Sequence, residues 1–272
     1  MVAAVRAFLE WPGPIPFAHR GGAEELPENT VPAFAAAIDL GYRHLETDVH
    51  LSRDGVVMAF HDDVLDRVTD GRGAIGSLSA AEIEAADAGY GFSPDGGSTF
   101  PWRGCGLRVP RLAELLERWP EARINIDTKS DAVVAPLIAL LRQMNAFDRV
   151  CVGSFSDARI ARVRRLAEAR VCTSMGPRAA TAARFASYIG RIPRLGADCL
   201  QIPVSNRGVR LVDQVMVRAA HRSGIAVHVW TIDDEGQMEL LLDLGVDGIM
   251  TDRPRLLRDV LRRRGAWFGA EV

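Results

Sequence analysis

The chain is poor in cysteine, and the few it has are scattered. Cys105, Cys151, Cys172 and Cys199 stand at wide, irregular intervals with no C-x-x-C pair. That pattern argues against a disulfide scaffold or a zinc framework as the expected source of stability. Cys151, Cys172 and Cys199 fall in or beside apolar segments and read as small buried thiols, which fits a reduced, cytoplasmic setting. No apolar run is long enough to span a bilayer, so no stable membrane insertion is expected. Charge of one sign is also lacking: the formal net charge is −2, which gives no general pull toward nucleic acid or acidic membrane. A site for an anionic ligand must therefore be built locally. The first residues carry one arginine and a short apolar run before Pro12-Gly13-Pro14, too little for a signal-peptide h-region with a cleavage site. There is no strong internal repeat.

What the chain does have is alternation. Of 272 residues, 48% are hydrophobic and 25% charged, an ordinary balance with enough apolar material for a large core. Short apolar segments alternate with amphipathic stretches from end to end. Strands are expected near 15–19, 43–48, 123–127, 150–154, 171–175, 198–202, 225–230 and 247–251. Helices are expected near 30–40, 111–118, 132–144, 157–168, 178–189, 209–222, 234–243 and 254–263. Segments such as VCVGSF (150–155) are apolar on both faces, the mark of a parallel sheet covered by helices. The number of strand–helix units predicts a closed (β/α)8 TIM barrel over an open doubly wound sheet, as a single domain spanning 1–272.

One region breaks the alternation. Ser52-Arg53-Asp54-Gly55 is a turn signal, and VVMAFH (56–61) is strand-like, so a hairpin is expected to pair Glu46 with His61, give or take one residue. Alternate residues of a strand share a face, so Glu46 and Asp48 point the same way. Residues 62–109 then form an insertion, expected as a small cap beside the barrel mouth. It holds a helical stretch at 77–89 with a capping box from Ser79 to Glu82.

The chemistry gathers at strand ends. Glu46, Asp48 and Asp127 are carboxylates whose charges repel unless a cation joins them. They supply only oxygen, which suits one divalent metal ion, Mg²⁺ or Ca²⁺, rather than zinc. The bland alternative is a set of salt bridges. His19 and His61 titrate in the range needed for general acid and base catalysis. His44, His50, His221 and His228 lack a comparable context and read as structural or exposed. Arg20 and Lys129 add positive charge suited to a phosphate, with ion pairs to the neighbouring carboxylates as the alternative. Asn29 or Thr30 caps the first helix. Trp230 ends a strand and either stacks on a ligand or packs under a loop. The arginines of the last helix (253–265) read as a solvated face.

In order, HRGG (19–22), PENT (27–30), LETDV (45–49), RDG (53–55), FHDDVLDRVTDGRG (60–73), NIDTK (125–129), SF (154–155), VHVWTID (227–233) and GVDGIMTDRP (245–254) resemble the glycerophosphodiester phosphodiesterase family. The resemblance runs from residue 17 to about 258. It implies a (β/α)8 barrel with an inserted segment after the second strand. It also implies metal-dependent hydrolysis of small-molecule glycerophosphodiesters to sn-glycerol 3-phosphate and an alcohol. By motif, His19 and His61 are the implied acid/base pair, Glu46, Asp48 and Asp127 the implied metal ligands, and Arg20 and Lys129 the implied phosphate-binding groups. Family members often carry glutamate where Asp127 stands, and aspartate is one methylene shorter. The implied route runs through a cyclic phosphate. Two alternatives stand beside it: cleavage of lysophospholipids, with Phe92, Phe100 and Trp102 of the cap holding an acyl chain, and a non-catalytic module that binds phosphorylated polyols.

Overall fold

The computed structural model describes residues 6–193 and 195–270; the start of the short N-terminal apolar run lies outside them. Strand β1 spans Ile15–His19, β2 His44–Leu51, β3 Val57–Ala59 and β4 Arg123–Thr128. Strand β5 spans Val150–Gly153, β6 Cys172–Thr173 and β7 Cys199–Ile202. A small ribbon, β8 (Ser205–Asn206) with β9 (Val209–Arg210), precedes β10 (Ala226–Val229) and β11 (Gly248–Thr251). The helices are α1 (Val31–Asp39), α2 (Ala80–Glu84), α3 (Leu112–Arg118), α4 (Val134–Gln143) and α5 (Asp157–Leu166). They continue with α6 (Pro177–Ser187), α7 (Gln214–Arg222), α8 (Glu235–Leu244) and α9 (Pro254–Arg263).

The strands run in the order β6-β5-β4-β2-β1-β11-β10-β7, and these neighbours pair in parallel. A parallel bridge between Ser174 and Cys199 joins the two ends. This is the expected (β/α)8 TIM barrel. Its closure follows from strands apolar on both faces, which must be covered outside and filled inside. Outside, Leu45, Ile124, Ile126, Val150 and Val152 pack against α3 and α4, and Leu200, Val227, Val229 and Ile249 pack against α7 and α9. Helix α9 buries Leu257, Val260 and Leu261 and turns its arginines outward.

Local differences from expectation have local causes. The hairpin forms with Val49 opposite Ala59, and Phe60 N–H donates to Asp48 O, so the register falls within the one residue allowed for it. The insertion buries Leu65, Ile75, Ala80 and Ile83 against Met58 and Phe60. Its helix is only Ala80–Glu84, although the Ser79–Glu82 capping box is present. Asp87 ends it by accepting from Gly89 N–H and Gly104 N–H. The helix expected from 209 starts at Gln214, because Arg207 and Gly208 take positive φ and turn β8 into β9. Among the described residues, no helix is long and apolar enough to cross a membrane.

Candidate active site

A cavity of about 560 Å³ is lined by His19, Arg20, Glu46, Asp48, His61, Asp127, Lys129 and Trp230. Every sequence-predicted site residue therefore reaches one space. The strand register explains this: His19 pairs with Glu46, and Asp48 pairs with Asp127, so inward residues of β1, β2 and β4 meet at their C-terminal ends. The His19-Arg20-Gly21-Gly22 turn takes three successive positive φ angles, at Arg20, Gly21 and Gly22. A Cβ on Gly21 would come within 2.9 Å of the backbone of α1, so only glycine fits there. The turn aims Arg20 N–H at Glu46 Oε2, 3.2 Å away.

Both histidines are held the same way. His19 Nδ1 lies 2.7 Å from Asp252 Oδ1. His61 Nδ1 lies 2.5 Å from Asp62 Oδ1, and His50 Nε2 reaches the His61 carbonyl at 3.1 Å. An aspartate on Nδ1 fixes the ring and leaves Nε2 as the nitrogen for chemistry. His19 Nε2 stands 3.7 Å from Glu46 Oε2. Burial alone would pull the His19 pKa down, but Glu46 and Asp252 outweigh it and leave it raised.

The carboxylates are buried and unequal. Glu46 is pushed up to about 8, first by burial and then by Asp48. Asp127 is also raised, mainly by burial. Burial acts the same way on Asp48, but Lys129 and Arg20 overcome it and hold that carboxyl below its usual range. Lys129 Nζ bridges Asp48 Oδ1 at 2.7 Å and Asp127 Oδ2 at 2.8 Å. Arg20 Nε is 3.2 Å from Asp48 Oδ2, but neither atom makes a well-aligned hydrogen bond.

The donor set fits a hard divalent cation in chemistry: three buried carboxylates, oxygen only, with Glu46 lacking full compensation and Asp48 Oδ2 without a hydrogen bond. In this arrangement the three do not all bring an oxygen within 4.8 Å of one another. Lys129 stands between two of them and pairs with both Asp48 and Asp127.

Sequence reasoning missed several partners. Asp252 lies in the TDRP stretch just past β11, where its position at a strand end was the available signal. Arg67, in the insertion, donates to Glu28 at 2.7 Å and to Asp62 at 2.6 Å, and so joins the cap to the His61 side of the mouth. Arg20 Nη1 donates to the same Glu28 at 3.2 Å. Thr30, not Asn29, caps α1; Asn29 instead accepts from Thr47 Oγ1. Trp230 does reach the cavity and meets Phe155 edge-on, with ring centroids 5.7 Å apart. The cap aromatics Phe92, Phe100 and Trp102 are not among the lining residues. Phe100 instead packs under the Arg103 guanidinium.

The model of the glycerophosphoryl diester phosphodiesterase family matches residues 19–256. A relative from Mycobacterium tuberculosis (strain ATCC 25618 / H37Rv), Probable glycerophosphodiester phosphodiesterase 2, is 39% identical over 270 residues, covering 97% of this chain and 96% of that protein. The glycerophosphoryl diester phosphodiesterase domain of an uncharacterized Mycobacterium tuberculosis protein shares the fold, with TM-score 0.81, 21% identity and coverage of 92% and 99%. An Oleispira antarctica phosphodiesterase, solved in complex with the product sn-glycerol-3-phosphate, matches with TM-score 0.75 at 25% identity, covering 92% of this chain and 97% of that one.

Proposed function

The chain belongs to the glycerophosphoryl diester phosphodiesterase family, and from that premise we propose that it hydrolyses glycerophosphodiesters to sn-glycerol 3-phosphate and an alcohol. The observation that carries the reading is the pair of aspartate-backed histidines on one cavity that also holds three carboxylates and two cations. A binding module for phosphorylated polyols needs the cations but not two oriented imidazoles. Glu46, Asp48 and Asp127 would hold a divalent cation, which when bound supplies positive charge for a phosphate oxygen and the glycerol hydroxyls.

In the proposed route one histidine takes the proton of the glycerol 2-hydroxyl as that oxygen attacks phosphorus. The other histidine gives a proton to the departing alcohol oxygen as its bond to phosphorus breaks. The cyclic phosphate is then opened by water. The histidine that gave its proton now accepts one from water, and the first returns a proton to the 2-hydroxyl. Arg20 and Lys129 bind the anionic phosphate, and Asp252 and Asp62 keep the two rings oriented.

The test is release of glycerol 3-phosphate from glycerophosphocholine and related diesters with Mg²⁺, Ca²⁺ or a chelator. Metal-dependent release is expected. No release from any head group by folded, metal-supplied protein would overturn the reading. One feature favours a second reading, cleavage of lysophospholipids. Helix α6 lines the cavity through Ala180, Thr181 and Arg184, while Phe185, Tyr188 and Ile189 at its end are exposed. Choline release from lysophosphatidylcholine separates the two.

A further inference from the structure

Beneath the cavity, the barrel interior carries a second cluster. Cys151, Cys172 and Cys199 come from three neighbouring strands: Cys151 pairs in register with Cys172, and Cys199 is bridged to Ser174. All three are buried, and their sulfur atoms lie within 4.8 Å of one another. Cys151 Sγ and Cys199 Sγ are 3.7 Å apart. Two thiolates at the usual zinc–sulfur length on one tetrahedral ion stand about 3.8 Å apart. The observed separation thus matches the edge of such a site.

A buried imidazole stands on the next strand. His228 on β10 is fully buried, and its Nε2 has no hydrogen-bond partner. Its Nδ1 faces Gln201 Nε2 at 3.4 Å. His228 stands in register with Gln201 on the neighbouring strand, two residues beyond Cys199. Arg164 Nε donates to Thr173 Oγ1 at 2.9 Å and its Nη2 to Ser174 O at 3.1 Å, so a guanidinium stands beside the strand of Cys172 and would offset the surplus negative charge of three thiolates around a divalent ion. Three small apolar side chains filling a barrel axis need no further account. Three thiols brought together at the separation of a tetrahedral edge do.

We propose that Cys151, Cys172 and Cys199 form a binding site for a soft divalent cation of the zinc class, filled as the chain folds. A sulfur-rich set selects such ions over Mg²⁺ and Ca²⁺, so the site is distinct from the carboxylates above it. Each coordinating thiol loses its proton to solvent. Two residues further along the same strands, Gly153, Ser174 and Gln201 line the cavity, so the ion would brace the active-site floor.

The test uses the full chain with Cys105→Ser, which removes the exposed thiol. Protein produced with Zn(II) is passed through metal-free buffer and its zinc measured by mass spectrometry; protein produced with Co(II) is examined by absorption. The expected result is about one retained equivalent and a near-ultraviolet thiolate-to-cobalt band. Both should be lost in Cys199→Ala, with Cys172→Ala as the second variant should the first not fold. Oxygen ligands give no sulfur band, so the result does not depend on the cavity's own metal. Absence of the cobalt band in the parent protein, or a band that survives in a folded Cys199→Ala or Cys172→Ala variant, would overturn the proposal.

Discussion

His19 Nδ1 meets Asp252 Oδ1 at 2.7 Å, joining the first barrel strand to the residue just after the last. Asp252 is itself held, because its N–H donates to Asp233 Oδ1 at 2.7 Å. Asp252→Asn removes the charge that favours imidazolium at His19 and keeps the shape. We expect kcat to fall by up to about ten-thousandfold, by analogy with the same change at a histidine-orienting aspartate elsewhere. The pH limb that requires protonated His19 should move to lower pH, since a raised pKa loses one of its supports. A pH–rate profile with an unmoved limb would reject the positioning role.

His61 also lines the cavity, backed by Asp62. Asp62 is depressed to about 2: burial opposes the shift, and the hydrogen bonds from Arg67 and His61 outweigh it. His61→Ala and His19→Ala should each cost on the order of a hundredfold or more in kcat. Steady-state kinetics on folded variants decides this. Near-normal turnover by either one removes that histidine from the acid/base pair.

Glu46 is a buried carboxylate short of positive charge, pushed up to about 8 by burial and Asp48. A divalent cation that binds only the folded chain must stabilise it, by about 2.7 kcal/mol at a hundredfold excess over Kd. Thermal melts with Mg²⁺ or Ca²⁺ should show a higher Tm than melts without either ion. The gain should shrink in Glu46→Gln. An unchanged Tm with both ions would count against the carboxylate site.

His44 lies at the opposite end of β2 from Asp48, with its Nε2 3.1 Å from Phe8 O and its ring against Phe8, Trp11 and Phe17. Burial lowers its pKa to about 3. Native His44 therefore stays neutral where the unfolded chain, at the ordinary value of 6.5, takes up a proton. Its contribution is complete above that value and is lost as pH falls from there toward the folded pKa, by about 1.4 kcal/mol per unit. Urea midpoints measured between neutral and acid pH should show this slope, and His44→Gln should flatten it. An equal slope in the variant would show that other groups govern acid unfolding.

The barrel was legible because its evidence is local. Segments such as 150–155 are apolar on both faces, and turn residues punctuate them, so type and order of elements follow from period alone. The errors were local as well. The stretch 209–213 has helix-compatible residues, yet Arg207-Gly208 reverses the chain and Asp213 caps α7 only afterwards. The stretch 85–89 gave way because Asp87 binds the backbone of Gly89 and Gly104, a contact made only when the insertion closes on itself.

The site divides in the same way. Which residues stand at strand ends is a property of the sequence, and His19, Glu46, Asp48, His61, Asp127, Lys129, Arg20 and Trp230 could all be named from it. Which of them touch was decided by closure. Asp252 is far along the chain from His19, yet β1 and β11 pair and bring them together. Lys129 lies between Asp48 and Asp127 because β2 and β4 share a register that aligns those two carboxylates. The three thiols read singly as buried apolar residues, and their convergence appeared only once β5, β6 and β7 were neighbours. Periodicity and turn chemistry act over a few residues and are written in the sequence. The partner across a closed barrel depends on strand order and register, which the whole core sets at once.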